Sequence, residues 1–394
     1  MVISSSFVKS KKKEVKTMKQ TKKWMALLLA LAMVFALVGC GGGEAAEEEG
    51  QEGLRIVQVS SGAGIDDGSF NQNVYEGIVA FMESRGNIDT FNDVLDSTGD
   101  PAAAVQAVAD IVADYDVIVT PGFQFAGITS IAQENPDKMF IIVDSFPSDE
   151  TGAPIELPNV YGMLFTEHEG GFFAGIAAAM STQTGKVASV HGIAFESNVN
   201  YQWGFESGVA YANKHFGTAA EVIELPAYAG TDVTGANVGG NYVGSFADPA
   251  TGKVIAEALI AQGVDVIFPA GGSSGNGCIT AAKEAENVWF IGCDADQFKD
   301  GAKGDANICL TSALKVMNIN VERQLNAIVD GTFAGANAVL SADTGSTGYV
   351  TGEHCQLSEE ALAALEEVYA LVQDGTIVPA GNFNGYTPEN FPGL

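Results

Sequence analysis

The stretch that decides the fold is "LRIVQVSSGAGIDDGSFNQNVYEGIVAFM", residues 54–82. It opens as a short β-rich apolar run, breaks in a glycine-bearing turn, and resumes with Val74, Ile78, Phe81 and Met82 at i, i+4, i+7 and i+8. The first pattern suits a buried strand and the second an amphipathic helix. The same change of period recurs downstream. "YDVIVTPG" (115–122), "MFIIVDS" (139–145), "GKVASVHG" (185–192), "VDVIFPAG" (264–271) and "VWFIGCD" (288–294) read as strands. "PAAAVQAVADIVADY" (101–115) and "GGFFAGIAAAMSTQ" (170–183) read as helices. Strand, helix, strand at this spacing predicts an α/β chain with parallel sheets covered on both faces. The roughly 340 residues after position 53 exceed one ordinary core and suit two lobes.

The first forty residues read differently. A basic stretch, "KKKEVKTMKQTKK", precedes an apolar run from Trp24 to Val38 that ends in "LVGC". A run of about fifteen residues is short for a span, which needs roughly 20, so an export signal is the better reading. Met18 begins a shorter signal of more usual proportions. "LVGC" resembles the lipobox of bacterial lipoproteins, which implies cleavage after residue 39 and lipidation of Cys40. The run 40–53, rich in Gly and Glu, predicts a solvated tether. The expected location is extracytoplasmic, lipid-anchored to a bacterial cell membrane.

Residues 1–39 hold eight Lys and a single Glu, which leaves 11 basic and 48 acidic residues in the rest of the chain. Such an acidic body disfavours nucleic acid and anionic membrane surfaces as partners. Besides Cys40 the chain has Cys278, Cys293, Cys309 and Cys355, none in a CxxC pair. Export permits disulfides, so one bridge within this group is expected, with free buried thiols the alternative.

Parallel sheets place ligands beyond the carboxyl ends of their strands. The loops there are "SSGAGIDDGSFNQ", "GFQFAG", "DSF", "GGSSGNG" and "CDADQ". "GGSSGNG" contains a literal G-x-S-x-G at Gly271, Ser273 and Gly275, and Asp294 or Asp296 with His354 would complete the order of a serine hydrolase. Small residues in a turn that approaches a ligand with its backbone give the same pattern. "DPATGK" lacks the phosphate-loop glycine and Ser or Thr, and His168, His191, His215 and His354 lack metal-ligand spacing. No metal, cofactor or enzymatic role is expected. Phe70 with Asn71, Phe123 with Phe125, and Tyr201 with Trp203 and Phe205 lie at loop or helix-start positions, together with Asp294, Asp296 and Lys315. Aromatics at such positions in both lobes suit a flat ligand held between faces.

"DDGSFNQNVYEG" resembles the D-x-S-F-N-Q signature of the basic membrane protein family, lipoproteins that are nucleoside-binding components of ABC importers. "FAGITSIAQENPDKMFIIVDS", "EHEGGFFAGIAAAMSTQTGKVASVHG", "GFESGVAYA", "ITAAKEAENVWFIGCDADQ" and "TSALK" continue the resemblance in order. "Basic" does not describe this acidic chain. The resemblance implies a type I periplasmic binding protein fold, two Rossmann-like lobes joined by three crossings: 54–165 plus about 295–330, and 166–294 plus about 331–394. It implies a non-enzymatic monomer that closes on a purine nucleoside and delivers it to a permease and ATPase; a sensory receptor of the same fold is the alternative. It implies that Phe70 stacks on the purine, Asn71 bonds its edge, and Tyr201, with Trp203 as competitor, completes the sandwich. Asp294 and Lys315 would hold ribose hydroxyls. Asp67 fills the signature position and is expected to brace the loop at the helix N-terminus, where negative charge is favoured; Asp67, Phe123, Asp144, Gly271 and Gly272 are further ligand-facing candidates. Ser61 stands where the family usually has an Asp, so a hydroxyl replaces a carboxylate there, and the loop 227–250 is longer and richer in glycine than the family pattern.

Overall fold

The computed structural model describes residues 53–394 except Phe383. The signal segment, Cys40 and all but the last residue of the tether lie outside the described residues. Among the described residues no helix is long and apolar enough to cross a membrane.

The first half runs β1 (Arg55–Ser61), α1 (Phe70–Ser84), β2 (Thr90–Asp96), α2 (Pro101–Ile111), β3 (Val117–Pro121), α3 (Thr129–Glu134), β4 (Met139–Val143) and β5 (Val160–Phe165). The second runs α4 (Glu167–Ser181), β6 (Lys186–His191), α5 (Glu196–His215), β7 (Glu221–Val222), the ribbon β8 (Gly230–Thr231) and β9 (Asn237–Gly239), α6 (Pro249–Ala261), β10 (Val266–Ala270), α7 (Ser273–Glu284) and β11 (Trp289–Asp294). The ribbon β12 (Ala302–Lys303) and β13 (Ala306–Asn307), then β14 (Cys309–Lys315), α8 (Met317–Val329), β15 (Ala336–Leu340), β16 (Thr347–Tyr349) and α9 (Glu359–Gln373) complete the chain.

Two six-stranded sheets result, ordered β15-β5-β4-β3-β1-β2 and β16-β14-β11-β10-β6-β7. All pairings in the first are parallel, and in the second only β14 with β16 is antiparallel. Strands buried on both faces read as continuous apolar runs, which is why the sequence shows them so plainly. Alternate residues feed opposite faces. Ile56, Val117, Val119, Ile141 and Val143 meet Val74, Ile78 and Phe81 of α1 and Met317, Val321 and Leu325 of α8. Val57, Val59, Ile118, Phe140 and Ile142 meet Ala104 and Val108 of α2, with Phe125 and Ile128. In the second sheet Val266, Phe268 and Ile291 side with α4, α5 and α9, while Val190, Ile267 and Phe290 side with α6 and α7.

The chain passes between the two sheets three times, at Thr166, Val316 and Ser341. This matches the two-lobed expectation but corrects its boundaries. β14 belongs to the second sheet and β15 to the first. Residues 295–316 therefore stay in the second lobe, where β14 lies between β11 and β16, and 336–340 return to the first, where β15 is an edge strand beside β5.

Helices α4 and α5 cross closely along Gly171, Gly175, Gly204 and Gly208; a Cβ at Gly208 would lie 3.0 Å from the Gly175 Cα. Ala at position 208 must push two helix backbones apart, so Gly208→Ala is expected to cost about 2 kcal/mol. Urea unfolding should show a lower midpoint with an unchanged slope.

The cysteine expectation is corrected. Cys278, Cys293 and Cys309 are buried free thiols and Cys355 is a half-buried one. Cys278 donates to the Gly252 carbonyl and Cys309 to the Thr311 carbonyl. Burial pushes both thiols up to about 12, so they behave as small apolar residues.

Candidate ligand-binding cleft

The two sheets share one strand order, with β1, β3, β4 and β5 in the places of β6, β10, β11 and β14. Their carboxyl ends open on a common cleft lined by residues of both lobes, the place where open parallel sheets bind ligands. Asp144 follows β4 and Asp294 ends β11 at equivalent points, and both hold positive φ, 61° and 67°. A non-glycine residue seldom adopts this conformation, and the repeated strain presents a carboxylate from each lobe.

The turn 65–72 is organised by Asp67. Its Oδ1 accepts from the N–H groups of Ser69 and Gln72, and its Oδ2 from the N–H and Nδ2 of Asn71. Burial raises this carboxyl, with the Asn71, Ser69 and Gln72 bonds opposing. Asp67 therefore borders the cleft but serves the N-terminus of α1, where negative charge is favoured. Gly68, at φ 74°, supplies the left-handed step the turn requires. The result sets Phe70 and Asn71 on the cleft wall.

Lys315 ends β14 with its side chain almost wholly buried. Its Nζ lies 2.6 Å from Asp144 Oδ2 and 3.1 Å from Glu167 Oε1. The ammonium also sits 5.2 Å from the Phe70 ring centroid and 5.6 Å from that of Tyr201. Burial opposes its charge, but Asp144, Glu167 and Asp294 raise it, so Lys315 stays protonated. Burial pushes Asp144 up to about 7 against the pull of Lys315. Asp144 Oδ1 is buried without a hydrogen-bond partner among the described residues. An acceptor this dry is costly unless something donates to it.

Tyr201 forms part of the floor, and its hydroxyl donates to Asp294 Oδ1 at 2.8 Å. Ser69 of the first lobe donates to Asp294 Oδ2 and to the Cys293 carbonyl, both at 3.2 Å. Asn276 Nδ2 reaches the Asp67 carbonyl and Gln297 Nε2 the Gly68 carbonyl. The lobes thus touch across the cleft. Phe123 closes another side by stacking on Phe195 at 3.6 Å between centroids.

Ser61, Asp67, Phe70, Asn71, Phe123, Asp144, Tyr201, Gly271, Gly272, Asp294 and Lys315 all line the cleft. Trp203 does not. It lies two residues beyond Tyr201, on the far side of α5, and packs near Ala194, Val199 and Tyr242. Sequence reading missed Phe246, Asn198 and Gln124, which also line the cleft. Phe246 sits in the glycine-rich loop 227–250 with two other aromatics, Tyr228 and Tyr242, and nothing in the sequence singles it out from them.

The hydrolase arrangement is not assembled. His354 bonds Asp296 at 2.5 Å and stacks on Phe298, outside the residues that line the cleft. Asp294 is engaged by Tyr201 and Ser69. Ser274, beside the would-be nucleophile Ser273, ties the Ser245 carbonyl to the Asp248 N–H.

A family model described as Bmp, ABC transporter substrate-binding protein PnrA-like, matches residues 55–225 and 233–360. The break falls at the start of the loop that departed from expectation. Basic membrane protein A1 of Borrelia garinii is 30% identical over 302 residues, 76% of this chain and 78% of that protein. The ABC transporter nucleoside-binding protein BmpA of Lactococcus lactis is 28% identical over 334 residues, covering 79% of this chain and 86% of that protein. Among solved structures, an ABC transporter solute-binding protein from Aeropyrum pernix superposes with a TM-score of 0.69 at 23% identity, covering 84% of this chain and 94% of that one. That likeness bears on the fold, a type I periplasmic binding protein architecture.

Proposed function

The chain belongs to the Bmp family of PnrA-like ABC transporter substrate-binding proteins, and from that premise we propose that it captures a purine nucleoside between its lobes and delivers it to a membrane permease. Substrate-binding proteins of ABC systems are extracytoplasmic and take small molecules. The finer reading includes an anchor through a lipid on Cys40. The observation that carries it is the convergence of Phe70, Asn71, Asp144, Tyr201, Asp294 and Lys315 on one cleft at the carboxyl ends of both sheets.

In this reading Phe70 stacks on the base, with Phe246 of the other lobe as the second aromatic wall in place of Tyr201, whose ring is buried against Phe268 and whose hydroxyl is held by Asp294. Asp144 Oδ1 and Asp294 accept sugar hydroxyls, which gives charge-assisted bonds that fix orientation. Lys315 is tied to Asp144 and Glu167, and Asp67, Asp144 and Asp294 also line the cleft. A phosphate would meet excess negative charge, so a nucleoside fits better than a nucleotide. The lobes close on the ligand, which stabilises the closed state by bridging them.

Thermal-shift screening of the mature body against nucleosides, free bases and sugars tests this. Nucleosides should raise the melting temperature most; a rise with a sugar and none with any nucleoside would refute the reading. Phe70→Ala is expected to weaken nucleoside binding by about 10- to 30-fold, or about 1.4–2 kcal/mol, in calorimetric titration.

A further inference from the structure

We propose that the first-lobe wall of the cleft selects ring edges that carry N–H donors, so that among nucleosides a purine with an N–H on its six-membered ring, ring-borne or in an exocyclic amine, is the favoured ligand. This rests on the nucleoside reading above. Two residues on that wall have their donors already engaged. Ser61 lines the cleft, and its hydroxyl donates to Asp96 Oδ2 at 2.8 Å. Although burial acts to raise the Asp96 carboxyl, bonds from Thr98, Ser61 and Gly99 hold it below its ordinary value, so it is the acceptor of that pair. Ser61 Oγ can then offer a ligand only lone pairs.

Asn71 is constrained in the same way. Its Nδ2 faces Asp67 Oδ2 at 2.9 Å and the Ala63 carbonyl at 3.2 Å. Both neighbours are acceptors, so the amide cannot be turned round without setting oxygen against oxygen. Both N–H bonds of the amide are used, and Asn71 Oδ1 is left as the group it offers the cleft it lines. The wall beside Phe70 is therefore an acceptor pair held in that sense by Asp67 and Asp96, two carboxylates that act through their neighbours. A ring edge with only lone pairs would face lone pairs there and leave these oxygens dry, whereas an exocyclic amine or ring N–H would satisfy them. Loss of one such pairing is expected to cost about tenfold or more in affinity.

Calorimetric titration of the mature body with guanosine, adenosine and purine riboside separates the possibilities. Purine riboside keeps the sugar and the stacking face but has no N–H on its six-membered ring. It should bind at least about tenfold more weakly than the tighter of the other two. Ser61→Ala should reduce that advantage by weakening the N–H-bearing nucleosides more than purine riboside. Equal binding of all three by the wild-type protein would overturn the selection and leave the nucleoside reading intact. Binding of none would overturn both. The wild-type comparison decides even if the variant does not fold.

Discussion

Lys315→Met is expected to lower unfolding stability by about 3–5 kcal/mol at pH 8, because it removes the cation from a buried cluster and leaves its anions behind. Methionine preserves most of the apolar stem, so packing changes little. What is lost is the ammonium between Asp144 and Glu167. The sign of the pH dependence follows. Burial raises Asp144 to about 7 and raises Glu167, while Lys315 lowers both. A carboxyl whose folded value exceeds its unfolded value, about 4, binds its proton more tightly in the native state, so it loses stability as pH rises through that window. Without Lys315 the folded values climb further. The variant should be closest to wild type near pH 5 and fall away steadily toward pH 9. Lys315 itself, held above its ordinary value, contributes stability that is fully present throughout that range and lost only in strong alkali. Urea unfolding at several pH values checks this, and a pH-independent deficit would show that the cluster is not what the substitution disturbed.

Part of this cluster was legible beforehand: Asp144 follows a strand whose apolar run announces double burial, whereas Lys315 was singled out through the resemblance and ends β14, whose sequence "CLTSALK" shows no apolar run. Helix α1 was equally plain, with Val74, Ile78 and Phe81 all fully buried. β2 was harder to see because "TFNDVLD" is an edge strand, exposed or half-buried along its length. β15 was missed for a similar reason, as a half-buried edge of five residues. The lobe boundaries failed at β14 and β15 because exchange of strands between sheets leaves no trace in local periodicity. Within the site, helical geometry alone could have separated Tyr201 from Trp203. Asp67 was expected to brace the loop, and its four accepted bonds show that bracing. Phe195, Asn276 and Gln297 could not be found from sequence, because their partners Phe123, Asp67 and Gly68 lie on the opposite lobe.

Asp294→Ala is expected to weaken nucleoside binding by about 100-fold, close to 3 kcal/mol, which exceeds the loss from any one aromatic in the cleft. Three effects add. The substitution removes the carboxylate proposed to accept a sugar hydroxyl. It leaves the Tyr201 hydroxyl, which burial holds well above its ordinary value and therefore protonated, without its acceptor. It also removes one of the bonds that join the lobes, from Ser69 Oγ to Asp294 Oδ2. Two companion variants apportion the loss. Ser69→Ala removes the cross-lobe bond but spares the carboxylate, and should cost no more than about tenfold. Asp294→Asn tolerates the positive φ and keeps one carbonyl oxygen, so it should fall between the two. If Asp294→Ala bound within threefold of wild type, the carboxylate would not be touching the ligand, and its strained backbone would need another explanation.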